Sequence, residues 1–307
     1  MKIGLIGLGK MGSQMVRRIL NEGHEVVVYD LSDTAVAEMV DEGAEAAHDY
    51  EHMVSLLADS DGPKAVWLMI PQQFVAETIE QVQPLLGVGD IVIDGGNSDY
   101  RNTLRHAELL TATGIELVDV GTSGGVHGLE NGFSMMVGGS PTAVQTIEPV
   151  LQALAQFQGY GHFGKTGAGH FTKMVHNGIE YGAMQAYAEG YRIIKEGPFE
   201  NVDLGKLAEV WQHGSINESF LNGLIERMLK RDPEFFGVDG VVAESGEARW
   251  TLETAAELGI ATPVIQSSLD VRVASQAGET NYATKFLAQL RNEFGGHAIN
   301  TDKKDGK

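Results

Sequence analysis

The sequence predicts an α/β domain followed by an all-α domain, and three observations predict it. In the first half, short apolar runs alternate with helically spaced stretches. The first run ends in a glycine-rich turn that opens a helix. From about Gly167 onward, helical periodicity continues while strand signals become sparse. The chain has 307 residues, 43% of them apolar, enough for two cores of ordinary size.

Ile3–Ile6 is the first buried-strand candidate, Met11–Leu20 has helical spacing, and Glu25–Tyr29 is a second apolar run ending at Asp30. Ala65–Ile70, Asp90–Ile93 and Glu116–Val120 continue the series. Such alternation gives a parallel sheet with helices on both faces. In the second half, His170–Glu196, Leu204–Trp211, Glu218–Lys230, Trp250–Leu258 and Pro263–Gln276 are the expected helices. The glycine-rich segment Gly159–Gly169 marks the expected boundary, giving domains 1–165 and 166–307. The charged end, Thr301–Lys307, is expected to be disordered.

The formal net charge is −20, which argues against nucleic-acid binding, because phosphate contacts need a basic surface. The same charge repels an anionic substrate at long range, so a site for one must carry its own cations. There are no cysteines, which removes disulfides, thiolate catalysis and cysteine metal sites. No apolar stretch is long enough to span a membrane, and a cytoplasmic enzyme is the expectation.

Gly7-Leu8-Gly9-Lys10-Met11-Gly12 matches G-x-G-x-x-G, a weak pattern alone. Here it follows a strand, opens a helix, and precedes a second strand ending in Asp30, eighteen residues after Gly12. That context is the dinucleotide fingerprint of a Rossmann-type domain. Gly7 permits the tight turn, Gly9 lets the backbone approach the pyrophosphate, and Gly12 lets the helix pack on the strand. Asp30 can accept hydrogen bonds from the ribose hydroxyls and would repel a 2′-phosphate. No arginine follows in Leu31-Ser32-Asp33-Thr34, so NAD is expected over NADP. Met69, late in the run Ala65–Ile70, and Asn97 complete the expected cofactor residues.

Gly159–Thr166 also satisfies G-x-x-x-x-G-K-[ST], the phosphate-binding P-loop pattern. A P-loop needs a buried strand before it and a helix after it. Val144–Gln156 before it has helical spacing, and the strand that could fit, near Phe157–Phe163, would run through the loop itself. A glycine-rich joining segment explains the pattern better.

Lys173, His176, Asn177, Glu180 and Tyr181 have offsets 0, 3, 4, 7 and 8, so on a helix they share one face. A solvated face is the ordinary reading of such a stripe. Two features oppose it. Phe171, Met174, Val175, Ile179 and Met184 occupy the other faces, which predicts a largely buried helix. The stripe also mixes a base, an acid, an amide, an imidazole and a phenol, which suits a cavity lining. No histidine or carboxylate spacing suggests a metal.

Ile93-Asp-Gly-Gly-Asn97 through Thr103, Ser123-Gly124-Gly125, Gly167 through Tyr181 and the ending Arg291-Asn-Glu-Phe-Gly-Gly-His297 closely resemble 6-phosphogluconate dehydrogenases. The likeness runs from Met1 to about His297, and the chain is similar to the short form, with one helical unit where the long form has two. The resemblance implies NAD-dependent oxidation of a phosphorylated sugar acid at its C3 hydroxyl, then decarboxylation, as in pentose phosphate or gluconate metabolism. Lys173 would be the general base and later the acid, its pKa lowered by burial. Glu180 would protonate the enediol, which needs a raised carboxyl pKa. Asn97, Ser123, Gly124, Gly125, His176 and Asn177 would position the carboxylate and hydroxyls. Tyr181, Arg272, Arg291 and His297 would hold the phosphate. In the family the C-terminal tail reaches a partner subunit, so a homo-oligomer with shared sites is implied. One departure stands out: Ser245 occupies the position of a family lysine, with Arg249 nearby in sequence. Two rivals remain open. One is a related β-hydroxyacid dehydrogenase acting on a smaller, unphosphorylated acid. The other is a non-catalytic NAD-binding sensor.

Overall fold

The computed structural model describes residues 1–58 and 62–299, so the charged end at Thr301–Lys307 lies outside the described residues. The chain divides into two compact units, Met1–Met174 and a second from Val175 onward.

In the first unit, β1 (Lys2–Ile6) leads into α1 (Lys10–Asn21), β2 (Glu25–Tyr29) into α2 (Asp33–Asp41), and β3 (Glu45–Ala46) into α3 (Tyr50–Leu57). β4 (Ala65–Leu68) then leads into α4 (Gln72–Val82) and β5 (Ile91–Asp94) into α5 (Tyr100–Thr111). β6 (Glu116–Ser123), the short α6 (Gly128–Asn131), β7 (Phe133–Gly138), α7 (Pro141–Leu154) and β8 (Ala155–Gly164) complete it. The strand order is β3-β2-β1-β4-β5-β6-β7-β8. Side chains alternate across the sheet as a strand requires. Ile3, Leu5, Val26, Val28, Trp67, Ile91 and Ile93 pack with α1 and α7, whereas Ile6, Val27, Val66, Leu68 and Val92 pack with α3, α4 and α5. The order reverses between β1 and β4, the switch point at which such sheets bind ligands.

Two features depart from an all-parallel reading. β7 is antiparallel to β6, because the chain turns back through α6 and through Gly132 at φ +78°. β8, parallel to β7, carries the P-loop-like glycines within an extended strand, which gives them a structural role. β3 is two residues long and β8 is interrupted by glycines, so their periodicity is too weak to identify them in the sequence.

α8 (Ala168–Glu196) crosses the division between the units, which therefore lies further along than the glycine-rich segment suggested. The physical reason is the buried carboxylate of Asp119 on β6. Its two oxygens accept the Gly167 and His170 N–H groups, each at 2.7 Å. A carboxylate at a helix N-terminus satisfies donors that have no intrahelical partner and complements the dipole. Thr166 adds a bond from its hydroxyl to the Leu117 carbonyl at 2.9 Å. The first turns of α8 thus belong to the sheet.

The second unit contains the rest of α8, then α9 (Leu204–Trp211), α10 (Phe220–Arg231), α11 (Glu247–Glu257), α12 (Pro263–Gln276) and α13 (Tyr282–Gly295). Its core gathers Met184, Tyr191, Leu224, Met228, Phe235, Phe286, Leu287 and Leu290. α13 has no counterpart in the sequence reading. Asn281 and Thr284 form a reciprocal capping box that starts it, and its apolar face continues the core. Among the described residues, no helix is long and apolar enough to cross a membrane.

Asp119→Asn should show how much the carboxylate anchors α8. The amide would turn a donor toward one of the two helix N–H groups and leave it unsatisfied. Stability should fall by about 2–3 kcal/mol, read from urea denaturation midpoints at constant slope. An unchanged midpoint would show that the contact does not anchor the helix.

Candidate active site

The dinucleotide fingerprint folds as its glycines require. Gly7 has φ +99°, and a Cβ there would lie 2.6 Å from the Met69 carbonyl oxygen. A Cβ on Gly12 would overlap the Gly7 carbonyl. At Gly9, the N-cap of α1, a Cβ would meet nothing within 4 Å. Open space beside a helix N-terminus is what a pyrophosphate needs. Asp30 accepts the Leu8 N–H at 2.6 Å and the Ser32 N–H at 2.8 Å, one on each oxygen. These bonds fix the carboxylate beside the glycine loop, and each oxygen keeps a lone pair for a ribose hydroxyl. Lys10 is exposed and Met11 half-buried at the loop. Leu31, next to Asp30, is 92% exposed. The residues present therefore fit a dinucleotide.

Asn97 is exposed on the loop after β5. Asp94 shapes that loop by accepting from the Gly96 N–H at 3.1 Å and from the Ser98 hydroxyl at 2.9 Å. Ser123 ends β6 opposite Ser134, and Gly124 and Gly125 follow at φ +132° and +53°, backbone that side chains rarely adopt. Lys173 is buried in the first unit, where a Cβ on Gly121 of β6 would overlap its own Cβ. Gly121 thus gives the lysine stem its place on the sheet.

In the second unit, α8 presents His176, Asn177, Glu180 and Tyr181. The stripe is more buried than part of the supposed apolar face: Asn177 and Tyr181 are buried, whereas Ile179 is 62% exposed. The expectation that Ile179 helps bury the helix is corrected here, since it lies on the helix's outward side. His176 Nδ1 lies 2.9 Å from Asn177 Oδ1 and 4.0 Å from Glu180 Oε2.

Arg272 of α12 is only 1% exposed, with its guanidinium carbon 3.3 Å from the centroid of the Tyr181 ring. Burial pushes its pKa down to about 10, so it remains a cation at neutral pH. Its Nη1 has no hydrogen-bond partner among the described residues. Arg291 of α13 is buried too; burial lowers its pKa, and Tyr181, Glu247 and Glu180 oppose that shift. A fully buried guanidinium with an unused donor is costly unless an anion completes it.

Tyr181, Arg272 and Arg291 come together in this chain. Arg291 is on α13, folded into its own chain's cluster, because the apolar face of that helix carries it there. His297 is exposed, its ring edge-on to Phe294 at 6.0 Å between centroids. Ser245, at the family lysine's position, donates its N–H to the Tyr181 hydroxyl at 3.3 Å. Arg249 pairs with Glu244 at 2.7 Å.

Asp119, Gly121 and Glu247 are absent from the sequence reading. A carboxylate inside the apolar strand Leu117-Val118-Asp119-Val120 was the available signal for the first. Glu247 is 2% exposed and accepts from Asn177 Nδ2 at 3.1 Å; nothing in its local sequence marks it as buried.

Two family profiles match the chain: the NAD binding domain of 6-phosphogluconate dehydrogenase over residues 2–169, and the 6-phosphogluconate dehydrogenase C-terminal domain over 169–306. A Bacillus subtilis protein provisionally named 6-phosphogluconate dehydrogenase is 43% identical over 304 residues, covering 99% of this chain and all of that one. A Haloferax volcanii protein named NAD(+)-dependent, decarboxylating 6-phosphogluconate dehydrogenase is 41% identical, covering 97% and 98%. Among solved structures, Plasmodium falciparum 6-phosphogluconate dehydrogenase has a TM-score of 0.81 at 29% identity, covering all of this chain and 67% of that one. A Salmonella typhimurium 3-hydroxyisobutyrate dehydrogenase, at 21% identity, 93% and 98% coverage and a TM-score of 0.74, shares the fold.

The geometry at Asp30 makes cofactor choice testable. Asp30→Ser with Leu31→Arg removes the repelling charge and puts a cation at an exposed position. The NADP/NAD affinity ratio should rise by roughly a hundredfold, given the bidentate reach of arginine to phosphate. Dinucleotide titrations by tryptophan fluorescence check this, and an unmoved ratio would remove Asp30 from cofactor choice.

Proposed function

The chain belongs to the 6-phosphogluconate dehydrogenase family, and on that premise we propose that it oxidises 6-phosphogluconate with NAD, releasing CO2 and ribulose 5-phosphate. The observation that carries the reading is Arg272: a fully buried guanidinium, flat on Tyr181, with an unused donor. In a chain of net charge −20, such an investment fits an anionic group on the substrate. Tyr181, Arg272 and Arg291 hold the phosphate in this reading, with His297 as a further contact. A small unphosphorylated acid would leave the unused donor of Arg272 without an anion.

Lys173 and Glu180 stand two turns apart on one helix, which suits two proton transfers to one substrate. Neutral Lys173 accepts the C3 hydroxyl proton. The glycine loop Gly7–Gly12 and Asp30 would hold NAD, which would supply the acceptor for the hydride leaving C3. The product is a β-keto acid, and its C1–C2 bond breaks to release CO2. That electron pair forms the C2–C3 double bond, and Lys173, now an ammonium, returns a proton to the former keto oxygen. Glu180 protonates the terminal carbon of the enediol while Lys173 takes back the hydroxyl proton, giving the ketose. His176, Asn177, Asn97, Ser123, Gly124 and Gly125 orient the carboxylate and hydroxyls in this scheme. The same reading places the enzyme in the cytoplasm as a homo-oligomer, consistent with Ile179 and Ile193, which α8 leaves exposed.

NADH formation and CO2 release should occur together with 6-phosphogluconate, and hardly at all with gluconate or 3-hydroxyisobutyrate. Lys173→Met should lower turnover by about a thousandfold or more, with NAD affinity intact. Glu180→Gln should slow the overall reaction by about ten- to a hundredfold at similar substrate affinity. Arg272→Lys should weaken 6-phosphogluconate binding and narrow its advantage over gluconate. Equal turnover of gluconate by the wild type would overturn the phosphate assignment, and near-normal Lys173→Met turnover would overturn the base.

A further inference from the structure

Glu247 is a buried carboxylate in the first turn of α11, behind Gly246, whose φ is +102°. Its Oε1 accepts from Asn177 Nδ2 at 3.1 Å, and its Oε2 has no hydrogen-bond partner among the described residues. Glu247 also acts on both Arg272 and Arg291, favouring their charged forms.

An ionised carboxylate accepts and cannot donate. Asn177 must therefore turn its NH2 toward Glu247, which leaves Oδ1 for its other neighbour. That neighbour is His176 Nδ1, at 2.9 Å. An amide oxygen only accepts, so Nδ1 must carry the hydrogen. Glu180 Oε2 lies 4.0 Å from the same nitrogen. In the neutral ring the lone pair then lies on Nε2.

We infer that Glu247 is a positioning residue: through Asn177 it fixes His176 in the Nδ1–H form and so sets which substrate groups the imidazole receives. The substrate half of this inference rests on the proposed reaction; the tautomer half does not. Replacing Glu247 by Gln keeps the shape but supplies an amide that can donate. Asn177 can then reverse, offer its NH2 to His176, and move the ring hydrogen to Nε2.

The test uses the whole NAD-bound enzyme carrying ring-15N histidine, at a pH of about 8 where imidazole is largely neutral. His176→Asn assigns the signal. Wild type should show the Nδ1–H pattern in long-range proton–nitrogen spectra, and Glu247→Gln should shift it toward Nε2–H. The KM for 6-phosphogluconate should rise about tenfold in Glu247→Gln, the size of one displaced charged hydrogen bond, with the KM for NAD unchanged. Glu247→Asp, which keeps an acceptor, should restore part of the Nδ1–H population. If Glu247→Gln does not fold, Asn177→Ala cuts the same relay and should also lose the bias. An Nε2–H ring in wild type, or Nδ1–H persisting unchanged in the variants, overturns the inference, even if activity falls. A wild type that ignores 6-phosphogluconate yet shows the tautomer response fails the substrate reading and leaves the relay standing.

Discussion

One buried carboxylate anchors the candidate chemistry. Asp119 sits in the middle of β6 and accepts two N–H groups from the start of α8. Without it those donors would be buried and unpaired, and the helix would have no reason to begin there. With it, Lys173 is set one and a half turns into a helix tied directly to the sheet. Glycines complete the fit. A Cβ on Gly169 would lie 2.5 Å from the Met136 carbonyl oxygen, and one on Gly138 would lie 2.5 Å from Asp119 Oδ1. The contact leaves room for backbone and little else.

The second constraint is electrostatic. A protein with twenty excess negative charges has to recognise an anion through local cations shielded from that field. Arg272 and Arg291 meet the need by burial, where an opposite charge interacts strongly because water does not screen it. Their desolvation is offset only in part by the Tyr181 ring face and the carboxylates of Glu247 and Glu180. Glu247 therefore has two roles in the cluster. It balances positive charge, and it orients the amide of Asn177.

The first unit was largely legible because its signals are local. Five strands and the turn at Gly7–Gly12 are bounded by residues within a few positions of one another, and the hydrophobic period of each element shows which faces are covered. The helices α9 and α12 were legible in their expected ranges for the same reason. β8 was not, because glycines interrupt its pattern. α13 ends in the residues that resemble the family's tail, and its capping box and core contacts make it a helix.

For the site, the sequence by itself determined the dinucleotide turn, the acid at the end of β2 and the polar stripe on α8. Each of these follows from spacing along one element, and spacing is a property of the chain. Tertiary structure alone decided that Asp119 would hold α8, that Arg291 would join Arg272 and Tyr181 within its own chain, and that Glu247 would face Asn177. These pairs lie tens of residues or more apart, and which groups meet is set by how elements pack. A buried charge is stable only beside partners that the fold supplies, so its role is not written in its neighbours.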